Sequence, residues 1–255
     1  MVKLTDIVGK EFLTKEGYVV KIVNYINDKD CDIQFNDARR TTLRKYRFSQ
    51  VKNGQVKNPY HKSVYSVGFI GEGKYKSKIN GLVTKVYTLW KHVLRRCYLS
   101  EVDIKTYSYK DVTICEEWHN FQNFAEWIDK NYNSKVMEGW QLDKDILVKG
   151  NKIYNPETCA FVPQEINILF AKRYNSRGVY PIGVCFHTAH NKFSATISKN
   201  GKRKHLGYYK TPEEAFQTYK TAKEKYIKEV ADKWRGQITE QVYEAMYDYK
   251  VEVTD

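Results

Sequence analysis

Six side chains in one short stretch have the types and spacing to make hydrogen bonds to base edges or phosphates. Lys192, Ser194, Thr196 and Ser198 recur at every second position, and Arg203 and His205 repeat that spacing a few residues later. Successive side chains of a β-strand point to opposite faces, so each set falls on one side of a sheet. Phe193, Ala195 and Ile197 then face a core, and Leu206 shares their side by the parity of Lys204. The open face is left with long donors and small hydroxyls. Such a face suits the major groove, where Arg and Lys meet guanine edges and phosphates and small residues permit close approach. Arg177 and Lys202 add charge to the same candidate set.

The elements that must hold these residues are marked in the sequence. Ile182–Phe186, Phe193–Ile197 and Lys202–Tyr208 read as strands, and Asn200-Gly201 is a strong type I′ hairpin signal. Thr211-Pro212-Glu213-Glu214 starts a helix, with Thr211 as N-cap, Pro212 in the first turn and Glu214 closing a capping box. Ala215, Phe216, Tyr219, Ala222, Tyr226 and Val230 form its apolar stripe. The stretch Ile238–Val251 reads as a further helix, with Ile238, Val242, Ala245 and Tyr249 on one side. It either packs on its own domain or makes a homodimer contact.

Two segments precede this one. Residues 1–78 look all-β, with short alternating runs at Gly17–Val23, Cys31–Phe35 and Thr41–Leu43 between Asn/Asp turns. Arg39, Arg40 and Arg44, with Lys45 and Arg47, form a basic cluster on the later strands. A connector with Gly68, Gly71 and Gly73 follows; Gly71-Glu-Gly73-Lys lacks the length and strand–helix context of a phosphate loop. Residues 79–170 open with a helix over Leu82–Tyr98, then a strand at Val112–Cys115 and a helix from His119 or Asn120 carrying Phe121, Phe124, Trp127 and Ile128. A terminal helix runs to Phe170. The expected class is therefore α+β: a small N-terminal β domain (1–78), a central α+β domain (79–170) and a C-terminal three-stranded antiparallel sheet packed on a helix (171–255).

Charge supports a polyanionic partner. The net charge of +13 divides into +8 for 1–78, −1 for 79–170 and +6 for 171–255, and Ala171–Lys210 holds nine Lys/Arg and no carboxylate. Five scattered cysteines without a CxxC pair suggest free thiols in a reducing cytosol, not a disulfide framework or a zinc site. No stretch approaches the apolar run of a membrane span, and the Met1–Phe12 stretch lacks the apolar region of a secretory signal, so no membrane partner is expected.

Gly178-Val179-Tyr180, Phe193–Ile197, Asn200-Gly201-Lys202, His205-Leu-Gly-Tyr-Tyr209 and Thr211-Pro-Glu-Glu-Ala215 resemble the Apetala-type (ethylene-response-factor) DNA-binding domain in the form found in phage homing endonucleases and integrases. The likeness covers about 176–232. It implies that Arg and aromatic side chains on the outer sheet face read bases. Arg203 and His205 fall at two such positions, with His205 where the family often has Trp. His187–Asn191 lengthens the first hairpin.

Tyr87–Tyr98, Cys115-Glu-Glu-Trp118, Phe121–Trp127 and Asn155-Pro-Glu-Thr-Cys159 resemble HNH-type (ββα-metal) endonucleases from phages, over about 82–170. Asn58–Tyr65 looks like a leader often fused to them. The resemblance implies one divalent metal, Mg²⁺ or Mn²⁺, and a His general base. Asp143 takes the metal-ligand position, Lys144 stands where the family's His belongs, and Thr158 stands where Asn or His is usual. Asp145 offers a second carboxylate ligand, Asn151 or Asn155 could help, and His119 is the nearest substitute base. The implied protein is a phage-encoded binder of double-stranded DNA in the bacterial host cytoplasm, with a degenerate nuclease centre. The alternatives are an active metal-dependent nicking or homing endonuclease, and a phage protein that binds and neutralises a host factor.

Overall fold

The computed structural model describes residues 7–98, 111–171, 179–253 and 255. The chain forms two compact units: Met1–Tyr87 with His119–Gln122, and Thr88–Trp118 with Asn123–Asp255.

The first unit is built on a four-stranded antiparallel sheet in sequence order, β1 (Glu11–Leu13), β2 (Val19–Asn27), β3 (Asp30–Phe35) and β4 (Thr42–Tyr46). Alternation places Val20 and Ile22 of β2 with Cys31, Ile33 and Phe35 of β3 on one fully buried face. The segment is not all-β as expected. A short helix, α1 (Phe48–Lys52), follows β4, and Val51 from it joins the core. The connector also holds a hairpin, β5 (Lys78–Ile79) and β6 (Leu82–Val83), turned at Asn80-Gly81 with φ of 50° and 80°. Because Leu82 and Val83 pair with β5, the next helix, α2, spans Lys85–Tyr98 and starts three residues later than expected. Gln122 pins the connector: its Nε2 donates to the Ile70 and Tyr75 carbonyls (3.2 and 3.0 Å), and its Oε1 accepts from the Tyr75 N–H (3.0 Å).

The second unit contains β7 (Thr113–Ile114), a 3₁₀ turn beginning at Glu116, and most of α3 (Phe121–Asn131). Then come β8 (Gln141–Asp143), β9 (Ile153–Tyr154), β10 (Ala160–Val162) and α4 (Gln164–Phe170). β7 pairs in parallel with β9, and β8 pairs antiparallel with β10, so β8, β10 and α4 make a ββα unit. Trp90 of α2 donates its buried indole N–H to the Trp118 carbonyl at 2.7 Å.

The C-terminal region has the expected antiparallel meander, β11 (Val184–His187), β12 (Lys192–Lys199) and β13 (Lys202–Tyr209), packed on α5 (Pro212–Trp234). Asn200 and Gly201 adopt φ of 51° and 73°, as a type I′ turn requires. The α5 capping box is present: the Thr211 hydroxyl accepts from the Glu214 N–H at 3.2 Å, and Glu214 accepts from the Thr211 N–H at 3.4 Å. The last helix, α6 (Glu240–Asp248), buries Val242 and Met246 in the same core, with Ile238 and Val251 beside them. Its apolar stripe therefore runs through Met246 instead of Ala245, and is buried within its own unit. Ile146, Ala160, Val162 and Ile166 from the central segment share this core with Ala195, Ile197 and α5.

Candidate nucleic-acid interface

The register of the meander fixes which side chains share its outer face. His187 stands opposite Lys192, Cys185 opposite Ser194, Ser194 opposite Tyr208, Thr196 opposite His205 and Ser198 opposite Arg203. The other row is closed by α5: Ala195 and Ile197 are buried there, and Lys199 reaches Glu229 of α5 at 2.9 Å. Lys192, Ser198, Arg203 and His205 are exposed on the outer row. None of the four has a carboxylate partner among the described residues.

Two expectations change. Ser194 lies in the outer row but is 4% exposed, and its hydroxyl donates to the Cys185 carbonyl at 3.2 Å and meets the Cys185 Sγ at 3.1 Å. It holds two strands together and is no free donor. Lys202 stands opposite Lys199, in the row that faces α5, at the hairpin end. Arg177 lies outside the described residues.

A β-bulge rephases β13. The register runs Ala195 to Gly207, then Thr196 to His205, so Leu206 is the extra residue and Gly207 takes a φ of 150°. A bulge adds one residue to one strand and inverts the facing of the residues beyond it. His205 and Tyr208, three residues apart, therefore share the outer face. Simple alternation from Arg203 and His205 would have sent Tyr208 inward. Around Tyr208 gather three imidazoles: His205 at 4.5 Å, His190 at 4.6 Å and His187 at 5.4 Å between ring centres. His187 and His190 are 4.8 Å apart, brought together by a 3₁₀ turn over Thr188–His190 that Asn191 closes with φ of 49°. This aromatic patch was missed because its alignment depends on the bulge. The Leu-Gly step and the His187-x-x-His190 spacing were the available signals.

In the first unit, Arg39, Arg40 and Arg44 are all exposed around the β3–β4 turn. The Arg39 guanidinium lies 4.4 Å over the Tyr60 ring. The charge there is real, but these cations are in the unit that does not contain the meander.

The residues expected to form a metal centre lie in a hydrogen-bonded loop between β8 and β10. Asp143 Oδ1 accepts from the Asp145 and Ile146 N–H groups at 2.9 and 2.7 Å, closing a tight turn. Burial, then the neighbouring Asp145 charge, pushes the Asp143 carboxyl up to about 6. Lys144 Nζ donates to the Asn151 carbonyl at 2.9 Å and pairs with Asp145 at 3.3 Å. Asn151 Nδ2 donates to the Lys144 and Ile153 carbonyls (2.6 and 2.8 Å) and to the Thr158 hydroxyl (3.0 Å). Asn155 Oδ1 accepts from both the N–H and the hydroxyl of Thr158, at 2.8 and 2.7 Å. His119 belongs to the first unit, where its carbonyl accepts from the Phe69 N–H at 3.0 Å.

These residues do not fit a divalent metal centre. Hard cations need several free oxygens arranged around them. The Asn155 oxygen is taken up by Thr158, one Asp143 oxygen by two backbone N–H groups, and an ammonium stands against Asp145. Among the described residues, no group of three or more His, Cys, Asp or Glu side chains is disposed to hold a metal ion. Nor is any helix among them long and apolar enough to cross a membrane. No family model, curated protein or solved structure matches this chain.

Proposed function

We propose that this protein binds double-stranded DNA through the outer face of the β11–β12–β13 meander. The observation that carries the reading is the exposed row Lys192, Ser198, Arg203 and His205 on a sheet whose opposite face is closed by α5. It lies within forty residues that hold no carboxylate. A sheet presented this way can enter the major groove with Arg203 toward a guanine edge and Lys192 toward a phosphate. The Tyr208–imidazole patch adds apolar and stacking surface beside them. The Apetala-type resemblance of about 176–232 points the same way.

The central segment, on this reading, is an HNH-like scaffold whose centre has become a structural loop. A lysine whose Nζ donates to a carbonyl and pairs with a carboxylate is not placed to take a proton from water. Lys144 is in that position, and the oxygens expected to bind a metal are used in holding the loop. The chain then acts in DNA binding without cutting, in a host cell infected by the phage that encodes it.

The test pairs a mobility-shift titration over a salt series with plasmid incubation in Mg²⁺, Mn²⁺ or EDTA. DNA binding should weaken steeply with salt, as release of counterions from phosphates requires. Arg203→Ala should cost about 1–3 kcal/mol if it reads a base, or flatten the salt slope by about one if it meets a phosphate. Metal-dependent nicking lost in Asp143→Ala would instead establish an active endonuclease. Absence of any shift at low salt would remove DNA as the partner and favour a protein target.

A further inference from the structure

The β5–β6 hairpin of the first unit is an apolar finger on a basic base. Its turn, Asn80-Gly81, has the backbone that a two-residue hairpin favours. The Thr84 N–H donates to the Ser77 carbonyl at 3.0 Å and the Thr84 hydroxyl to the Lys76 carbonyl at 3.1 Å, so its base is fastened. A two-stranded hairpin this short is marginal by itself, and this closure defines its shape. At its tip Ile79 pairs with Leu82, side by side on one face, 59% and 76% exposed. Val83 is 50% exposed on the other face. Lone exposed apolar residues are common, but adjacent ones at the point of a fastened turn cost solvation for no packing in the chain.

Charge identifies what covers them. From Gly73 to Ser100 the sequence has seven Lys/Arg and no Asp or Glu. Lys76, Lys78 and Lys85 flank the tip, all exposed, and none pairs with a carboxylate among the described residues. A protein groove that accepted Ile79 and Leu82 would have to tolerate that ring of ammonium groups; a nucleic-acid duplex would be drawn to it. Apolar wedges carried on basic elements enter the minor groove, unstack adjacent base pairs and kink the duplex by about 20–90°.

We infer that the β5–β6 hairpin is a second DNA contact, with Leu82 and Ile79 entering between base pairs from the minor groove while Lys76, Lys78 and Lys85 hold the flanking phosphates. The inference rests on the reading of the protein as a DNA binder, and gives the first unit a role in it. The wedge needs no base sequence, so it would act wherever the meander directs the chain.

The test uses closed circular plasmid relaxed by topoisomerase I in the presence of the full chain, with a mobility-shift lane on the same DNA. Unstacking by a wedge changes the linking number, so the wild type should shift the topoisomer distribution in proportion to bound protein. The double variant Ile79→Ala, Leu82→Ala should lose that shift, with its binding constant reduced by less than about tenfold because the lysines and the meander remain. Leu82→Phe should keep the shift. Both changes are at exposed positions, and an unchanged circular-dichroism melt checks that each variant is folded. Binding with no topological change in the wild type, or an equal change in the double variant, overturns the wedge while leaving DNA binding intact. A wild type that is dimeric by sedimentation and becomes monomeric in the double variant would make the finger a self-association surface. Failure of the wild type to bind DNA at all would remove both readings.

Discussion

Asp143→Asn should make the protein more stable at neutral pH and leave it unchanged in acid. The carboxyl is buried beside Asp145, and its folded pKa is raised from 3.8 to about 6. Between those two values the folded chain holds the proton more tightly than the unfolded chain. Unfolding free energy therefore falls as pH rises through that window and stays reduced above it. At about 1.4 kcal/mol per pH unit, the ionised carboxylate costs up to about 3 kcal/mol at pH 7.5. Asparagine keeps the Oδ1 acceptor that the Asp145 and Ile146 N–H groups require, and its Nδ2 can donate to the Asp145 carboxylate. It removes only the charge. Urea unfolding at pH 7.5 should show a gain of about 1–3 kcal/mol for the variant, shrinking toward zero by about pH 4. Repeating the pH 7.5 measurement with millimolar Mn²⁺ adds a second reading. A ligand that binds only the folded state raises its stability, and a loop that serves as a staple should respond to Mn²⁺ no more in the wild type than in the variant. A variant less stable than wild type at pH 7.5, or a gain independent of pH, would refute the burial argument. Stabilisation by Mn²⁺ in the wild type alone would refute the staple.

Other substitutions probe the remaining elements. Gly183→Ala places a Cβ 2.1 Å from the Tyr219 ring at a φ of 77°, so thermal unfolding should show a loss above about 2 kcal/mol, or no folded protein. Thr211→Ala removes the hydroxyl that caps α5 and should cost about 1 kcal/mol in denaturant unfolding. Lys144→His would place an imidazole in the loop but free no metal ligand, since Asn155 still serves Thr158; plasmid should stay uncut in Mg²⁺ and Mn²⁺, and nicking would overturn the reading of the loop as purely structural.

The fold was most legible where local chemistry leaves few options. Asn200-Gly201, the Thr211–Glu214 box and the stripe of α5 located the C-terminal sheet and helix to within a few residues, because turn, cap and period each have a local cause. Short elements were harder. A two-residue strand such as Leu82–Val83 carries no period, so it read as the start of α2. Five residues of α1 after β4 are too few for helical spacing to emerge. The common core of the central and C-terminal segments was out of reach, because Ile146 and Val162 meet Ile197 and Val242 only through tertiary packing.

The candidate interface divides along the same line. Arg203, His205, Thr196 and Ser198 came out on one face because alternation holds along regular stretches of β12 and β13. Alternation fails at one residue, Leu206, and beyond it every assignment inverts. Tyr208, the centre of the aromatic patch, lies past that point. Bulges re-aim side chains where a sheet must present something that a regular strand would hide. Here the extra residue lets Leu206 pack toward the core while His205 and Tyr208 stand 4.5 Å apart on the open side. A regular β13 would put only one of the two on the outer face. Gly207→Val keeps the residue count but disfavours the φ of 150° that the bulge uses, so it should drive β13 toward regular alternation and turn Tyr208 away from the imidazoles. If the meander reads DNA with that patch, the folded variant should bind more weakly than wild type; wild-type affinity would leave the cations as the whole of the contact.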